Sequence, residues 1–370
     1  MKVVFLSHTA PSGVFRVGSH HLSREIARLG HDVAHVATPV SLAHVAKAKR
    51  DDDVRARLRS ARAPRVDADG VWQVVPLVPA PLGSVPTAAN ELQLRSTAPL
   101  RRRRLARFRD ADVVFVDQPL LGAVVEDFPR ATIIYRPTDA HHEPRTRAAE
   151  VRLLERAHGI SATSASTLEQ VTEGTGWTGP STVIQNGVEF DRFAAPGDAP
   201  DRAGVVYLGA LDARFDWALL GELARALPEV GFTIVGPRPA VVPPLPSNVS
   251  LVGGVPYAEA PGLLARHAVG ILPLSDHPGN AGRSPMKYYE YLAAGLSVVA
   301  RSSDELRHRA DTNVRLYDDA PAAVRAVSEA LTADADARAA GRRAAQGMGW
   351  GDRAARLLAF AETVRSGTTA

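Results

Sequence analysis

The chain has 370 residues, 45% of them apolar, with a formal net charge of +4, 12 histidines and no cysteine. That length suits two domains of ordinary size with real cores, and the lack of cysteine excludes disulfides, thiolate catalysis and Cys-based metal sites. No run of about 18 apolar residues reads as a membrane span, and MKVVFLSHTA turns polar too soon for a signal peptide, so a cytoplasmic protein is expected.

KVVFLS, residues 2–7, is a continuous apolar run, the pattern of a strand buried on both faces. After the turn-rich HTAPSGVFRVGS, the segment SHHLSREIARLG reads as a helix capped by Ser19 and stopped at Gly30. HDVAHVAT supplies a second strand. This β–loop–α–β order opens a doubly wound parallel sheet. His8 follows the first strand and is either a base or positioning residue, or a plain loop histidine. Gly13 and Gly18 would let the backbone approach a substrate near the helix start. They do not form G-x-G-x-x-G, so a dinucleotide site is not indicated.

The stretch from Ala43 to Pro86 is Pro-rich, charged and irregular. Between His44 and Arg109 there are 15 Lys and Arg against 6 Asp and Glu, and LRRRRLARFRD (100–110) is the peak. Such a run is a solvated helix face, or it attracts an anionic membrane surface or polyanionic substrate. Nucleic acid is the weaker reading, because no stacking aromatics interleave the arginines. Asp67–Asp69 and Asp334–Asp336 fit Asp-x-Asp, but neither follows a buried strand, so no metal is assigned.

ADVVFVDQ (111–118) and ATIIYRPTD (131–139) are further strand-then-loop units, and HGISATS and STVIQNG are two short strands. Asp139 stands at a strand's C-terminal end, where a carboxylate could serve as a general base for a hydroxyl. It could equally cap the helix beginning near Glu143 or sit in a turn. His141 and His142 read as cleft or surface residues, since no third metal ligand has a suitable spacing.

NGVEFDRFAAPGDAPDRAG (186–204) collects Gly, Pro and Asp and reads as an interdomain linker. A second alternating series follows. GVVYLGAL, VGFTIVGP, NVSLVGGV, AVGILPL and LSVVAR are strands, separated by helices such as DWALLGELARALP, and helices run from there to the end. Two Rossmann-like halves would leave a cleft at the carboxyl ends of both sheets, the usual ligand position. Gly209 would allow close approach of a pyrophosphate, which Arg214 could pair with. The other reading of Arg214 is a solvent-facing Arg–Asp turn. Gly253 to Val255 would offer backbone groups to a base edge, while Tyr257 reads as structural.

Of the 44 basic residues only Lys2, Lys47, Lys49 and Lys287 are lysine. Lys287 lies in AGRSPMKYYEYLAAG. Ser284 suits a cap, Pro285 the first helical position and Gly295 the position past the end. A cation in the first turn opposes the helix dipole, so helix stability alone would not select it, whereas an anionic ligand would. Glu290 shares its face and could accept hydrogen bonds from ribose hydroxyls. The bland alternative is an exposed Lys–Glu pair worth about 0.3 kcal/mol.

SPMKYYEYLAAGLSVVA resembles the donor-nucleotide segment of GT-B glycosyltransferases, where a Pro-x-Lys-x-x-Glu helix carries a phosphate-binding Lys and a ribose-binding Glu. VIQNGVEFDRF, YLGALDARFDWALLGELA and GWGDRAARLLAF resemble the strand-to-linker segment, the opening of the second domain and the terminal helix that crosses back onto the first. Within the superfamily the chain resembles the branch of the xanthan glucuronosyltransferase and the teichuronic acid glycosyltransferases. That branch carries its catalytic Asp after a Tyr-Arg-x-x-Asp strand end, matched here by Tyr135, Arg136 and Asp139. Many retaining members have a second Glu eight positions before the first, and here that position is Gly282.

The resemblance implies a GT-B α/β fold: residues 1–188 with 350–366 as acceptor domain, and 200–349 as donor domain. It implies transfer from a nucleoside-diphosphate sugar, UDP-linked, to an acceptor hydroxyl. Asp139 would be catalytic, with inversion. Gly209, Arg214, Gly253, Ser284, Lys287 and Glu290 would hold the donor, and His8, Gly13 and Gly18 would line the acceptor side. Neither a metal nor another cofactor is expected. The acceptor would be lipid-linked or membrane-proximal, with the protein peripheral at the inner face of the membrane. A non-hydrolysing sugar-nucleotide epimerase and an inactive sugar-binding protein share the two-domain plan.

Overall fold

A computed structural model describes residues 1–9, 16–47, 52–196, 201–309 and 311–367. The chain divides into two compact units, Met1–Gln185 with Trp350–Ala370, and Asn186–Gly349.

In the first unit the strand Lys2–Leu6 is flanked by Asp32–Val36 on one side and Val113–Val116 on the other, both parallel to it. The sheet continues through Thr132–Tyr135 and Gly159–Ala162 to Ser181–Val183, and in the other direction through Trp72–Val74 to Arg65–Val66. Only the last pairing is antiparallel. VVFV and TIIY are buried at every residue, as strands covered on both faces must be. The strand order reverses beside Lys2–Leu6. Residues 7–9 and 117–118 therefore leave the sheet at its topological switch point, where ligands of such sheets sit.

The stretch expected to be irregular holds the helices Leu42–Lys47 and Asp52–Ser60 and several short strands. Val40–Ser41 pairs with Leu77–Val78 as a separate ribbon. Strands of two or three residues display no period, so the sequence pattern could not expose them. The helix after the first strand is Gly18–Arg28, with Val17 at its N-cap and no side-chain cap bond. Ser19 does not cap it. Its hydroxyl is buried and meets Ser7 Oγ at 2.6 Å and His35 Nε2 at 3.2 Å. The terminal helix Trp350–Ser366 belongs to this unit. The Trp350 ring stacks on His21 at 4.8 Å and 6°. A Cβ at Gly159 would come within 3.1–3.2 Å of Val364, Ile134 and Phe360, so a residue without a side chain lets this helix lie close to the sheet.

The second unit has one parallel sheet of order Val249–Gly253, Phe232–Val235, Val205–Leu208, Val269–Leu272, Ser297–Arg301, Val314–Tyr317. In the unit's own chain order this is the doubly wound 3-2-1-4-5-6 arrangement. The last strand was not expected, because helices alone were read after LSVVAR. Its first three residues are only half-buried and include Arg315, so it lacks the apolar run of an interior strand. The first part of the expected linker is instead part of this unit. Val188 and Phe193 are buried in one core with Tyr288 and Leu292, and the Val188 N–H donates to Met348 O at 2.9 Å.

Candidate active site

The switch point of the second unit lies between Val205–Leu208 and Val269–Leu272. The loops that leave these two strands are laced together. The Asp216 N–H donates to Pro273 O at 2.8 Å and the Ser275 N–H to Arg214 O at 2.9 Å. Asn280 Nδ2 donates to Arg214 O and to Ser275 O, both at 3.0 Å. Beside them a Cβ at Gly236 would sit 2.0 Å from Gly209 O, so only glycine fits under that carbonyl. The Gly236 N–H donates to Gly253 O at 2.9 Å, and Gly253 has φ +88°, the left-handed region that favours glycine. Gly209, Gly236 and Gly253 thus stand in a row along three adjacent strand ends, with the Tyr207 hydroxyl packed where a Cβ of Gly209 would come within 2.6 Å of it. Gly236 was missed, although Gly-Pro directly after an apolar strand marks it.

The helix that follows the second loop is Met286–Ala293, with Pro285 at the N-cap and no side-chain cap bond. Ser284 is not the cap. Its hydroxyl accepts from the Asn186 N–H at 3.2 Å and from Arg309 Nη2 at 2.7 Å, and its carbonyl accepts from Asn186 Nδ2 at 2.8 Å. These bonds fix the chain as it enters the helix. Asn186 and Arg309 went unnoticed, because each lies far from Ser284 in sequence.

Lys287 is in the first turn, and its Nζ donates to Glu290 Oε2 at 2.6 Å. Their side chains are 22% and 3% exposed, so the carboxylate is buried and the ammonium is its reachable end. A second, half-buried carboxylate stands nearby. Tyr257 OH donates to Glu189 Oε2 at 2.7 Å. Burial, then the Glu290 and Glu189 charges, push the Tyr257 phenol far above its ordinary range, which keeps it a neutral donor. Arg192 Nε donates to Glu189 Oε1 at 3.3 Å and its guanidinium lies 5.4 Å from the Tyr257 ring centroid. Two carboxylates are therefore held by one lysine, one arginine and one phenol. Glu189 had been assigned to a linker and was not foreseen here.

Arg214 makes an Arg–Asp pair. Its Nη2 donates to Asp212 Oδ2 at 2.7 Å and its Nε to Asp212 Oδ1 at 3.2 Å, and this pairing holds the Asp212 carboxyl below its usual range. The Asp-x-Asp pairs have structural uses. Asp67 Oδ1 accepts the N–H groups of Asp69 and Val71, each at 3.0 Å, and Asp334 caps the helix Ala335–Gln346 through Ala337 N–H at 2.8 Å.

In the first unit the switch point gathers His8, Asp117, Gln118, Arg136 and Thr138. Arg136 Nε and Nη2 reach the two oxygens of Asp117 at 2.9 and 2.5 Å, and both side chains are buried. Behind them Tyr135 OH donates to Glu150. Gln118 Nε2 meets His8 Nδ1 at 3.1 Å. An amide NH₂ can only donate, so the His8 proton is on Nε2, which lies 3.5 Å from Thr138 Oγ1. Burial lowers the His8 pKa, opposed first by Asp117 and, more weakly, by Asp139. Burial lowers His141 too, with Glu150 and then Asp139 opposing. The Asp139 charge is thus felt by both His8 and His141. Gly18 is the buried first residue of its helix. Gly13 lies outside the described residues.

Two more histidines stand behind this cluster. His20 Nε2 is 3.3 Å from Thr9 O, and the His20 and His35 rings are 4.7 Å apart. Burial lowers His20 from 6.5 to about 4 and His35 well below its ordinary value. Both are neutral in the fold and protonate near pH 6.5 once unfolded, so the unfolded chain binds more protons below that value. Their stabilisation is complete above about pH 6.5 and is lost as the pH falls toward 4. For His20 alone the shift corresponds to about 3 kcal/mol. Urea midpoints measured from pH 7.5 to 4 should therefore fall steeply, and a flat profile would show that these rings are not buried neutral.

The basic run 100–110 is less available than its sequence suggests. Arg101 is buried with its Nε on Asp127 Oδ2 at 2.5 Å, and Arg102 Nε takes Asp127 Oδ1 at 2.7 Å. Arg104 donates to the carbonyls of Val75 and Arg62, both at 3.2 Å, and Arg107 pairs with Asp32 at 3.0 Å. No described helix is long and apolar enough to cross a membrane.

Two family models match the chain. Residues 5–162 match the N-terminal domain of the glucuronosyltransferase GumK, and residues 214–359 match a glycosyl transferase-like family. A putative teichuronic acid biosynthesis glycosyltransferase, TuaH of Bacillus subtilis, is 30% identical over 169 residues, 41% of this chain. The match spans 42% of that relative's length. Among solved structures, the sucrose-phosphate synthase of Thermosynechococcus elongatus is 16% identical with a TM-score of 0.73, over 99% of this chain and 100% of that one. Anabaena HepE in complex with UDP and glucose is 15% identical with a TM-score of 0.69, over 98% and 100%. Both share the two-domain GT-B fold.

Proposed function

The chain belongs to the GT-B glycosyltransferases, and from that premise we propose that it moves a sugar from a UDP-linked donor to an acceptor hydroxyl, with inversion and without a metal ion. The observation that carries this reading is Lys287 above buried Glu290, in the first turn of the helix that follows the switch-point strand Val269–Leu272. An ammonium at that helix end opposes the dipole, and a diphosphate would satisfy both. Lys287 turns from Glu290 to the diphosphate, and the carboxylate so released accepts the ribose hydroxyls. Gly209, Gly236 and Gly253 leave backbone open to the pyrophosphate and the base. Ser284 supports the loop, and Arg214 assists once it leaves Asp212.

Asp139 deprotonates the acceptor hydroxyl, which attacks the anomeric carbon as the bond to the diphosphate breaks. His8 sits beside it as a positioning residue. Gly282 in place of a second Glu supports inversion. Lys287 and Arg214 neutralise the leaving diphosphate, which takes the role a metal would have. The relative HepE holds UDP in its structure, which supports the donor class. The TuaH likeness supports a place in cell-surface polysaccharide synthesis. A lipid-linked or membrane-proximal acceptor is supported by the charge excess of 44–109 and by exposed Leu42 and Val45.

Lys287→Ala should weaken UDP binding about 10–100-fold, since a charge-assisted bond is worth about 1.5–3 kcal/mol. The variant also leaves the Glu290 carboxylate without its cation, so Lys287→Arg, which keeps the charge, is measured beside it and both are checked for folding by circular dichroism. Unchanged affinity by calorimetry would remove Lys287 from the donor site.

A further inference from the structure

The switch point of the first unit carries a chain of hydrogen bonds whose directions are all decided. Gln118 leaves the strand Val113–Val116, and its N–H donates to Leu6 O at 3.2 Å. Its side-chain Oε1 accepts the Leu120 N–H at 3.2 Å and so caps the helical turns Pro119–Asp127. A backbone N–H can be met only by the oxygen of that amide, because the NH₂ end has no lone pair to offer. The NH₂ end therefore faces His8, where it lies 3.1 Å from Nδ1. A group that can only donate forces Nδ1 to accept, and the ring keeps its proton on Nε2.

The surroundings suit that tautomer and leave the Nε2–H little to bond. Its partner among the described residues is Thr138 Oγ1 at 3.5 Å, longer than the usual range of about 2.7–3.2 Å. Thr138 is itself anchored, since its carbonyl accepts from Thr163 Oγ1 at 3.0 Å. The His8 carbonyl accepts from Thr38 Oγ1, so the residue is held through its backbone as well as its ring. The charged and titratable groups that act on the ring are Asp117, His141, Asp139 and Arg136. Both Asp117 oxygens accept from Arg136, and Nδ1 meets a neutral amide. A carboxylate at Nδ1 would do the opposite, holding a proton there and freeing Nε2 to act as a base.

We propose that Gln118 is a positioning residue that locks His8 in the neutral Nε2–H form, a hydrogen-bond donor and not a base. The lock is built into the first unit alone and depends on no ligand. What it serves rests on the transferase reading: the half-buried ring offers its N–H to an oxygen of the acceptor, and removal of the proton is left to Asp139. No sequence pattern marks this pair, because Gln118 and His8 stand 110 positions apart.

The test is long-range proton–nitrogen NMR correlation on the full chain with isotope-labelled histidine, which separates protonated from unprotonated ring nitrogens. His8→Asn identifies the His8 signals by removing them. Near neutral pH the unaltered protein should show an unprotonated Nδ1 and a protonated Nε2 at His8. Gln118→Glu keeps the size of the side chain and an oxygen for the Leu120 N–H, but turns the donor at Nδ1 into an acceptor. In that variant Nδ1 should become protonated, and the His8 midpoint should rise by about one pH unit or more. Gln118→Leu should leave the two tautomers mixed. A residue that only packs would move neither the proton nor the midpoint, and circular dichroism checks that each variant is folded. The proposal is overturned if His8 of the unaltered protein carries its proton on Nδ1 or is a mixture, or if the folded variants keep the original pattern. Failure of the unaltered protein to bind UDP would strike the donor reading instead and leave this one standing.

Discussion

Asp139→Asn should lower turnover by about 10²–10⁴-fold, the usual contribution of a general base, and leave UDP affinity unaltered. The amide keeps the size of the carboxylate and removes its ability to take a proton. The proposed donor site lies on a different unit of the chain, so UDP binding would report on Lys287 and Glu290 and not on Asp139. The rival base is His8. Its Nδ1 faces the Gln118 amide and its proton is on Nε2, so neither nitrogen offers a ready lone pair to a substrate. Burial also holds its pKa down, which makes it a weaker base than an ordinary imidazole. His8→Asn should therefore cost less than Asp139→Asn. UDP release can be followed once a thermal-shift screen has found the sugar nucleotide that binds. Turnover of Asp139→Asn within two-fold of the unaltered enzyme would end the assignment, and the opposite order of the two variants would transfer it to His8.

Much of this arrangement could be read from one sequence because it is local. The interior strands are unbroken apolar runs such as VVFV and TIIY. Lys287 stood out as a lone lysine in an arginine-rich chain, placed where helix electrostatics alone would not put it. Asp139 was expected to end a strand, but the strand stops at Tyr135 and Asp139 lies in the bend that follows it. What stayed hidden joins residues far apart in sequence. Glu189 meets Tyr257 across 68 positions, Asn186 meets Ser284 across 98, and Arg101 meets Asp127 across 26. No periodicity marks such pairs. The same limit explains the two misplaced caps. Ser19 and Ser284 have the residue type and position of N-caps, yet each hydroxyl is buried, and a buried hydroxyl goes to whichever partner the core supplies. The edge strands escaped for a different reason, since a pair such as Arg65–Val66 is exposed at both residues and leaves no pattern to find.

Arg136→Met should destabilise the first unit by about 3–5 kcal/mol, because it leaves the Asp117 carboxylate buried without its partner. The two groups bond at 2.9 and 2.5 Å and are 4% and 1% exposed, so water cannot replace the lost guanidinium. Asp117→Asn should also be costly, since it strands the arginine. The double variant Asp117→Leu with Arg136→Met should recover most of the loss, as buried pairs often yield to apolar residues of similar volume. Urea unfolding followed by tryptophan emission is a suitable measurement, because Trp72, Trp177 and Trp350 all lie in this unit and only Trp217 lies in the other. Arg136 belongs to the Tyr-Arg-x-x-Asp motif, and the cycle shows what it contributes there. Tyr135 is bonded to Glu150 and Arg136 to Asp117, so the first two motif residues anchor the strand end from which Asp139 projects. Strong coupling between the two substitutions, with the double variant folded, is the result expected of an anchor. Additive losses would mean that Arg136 does not depend on Asp117, and its place in the motif would then need a ligand to explain it.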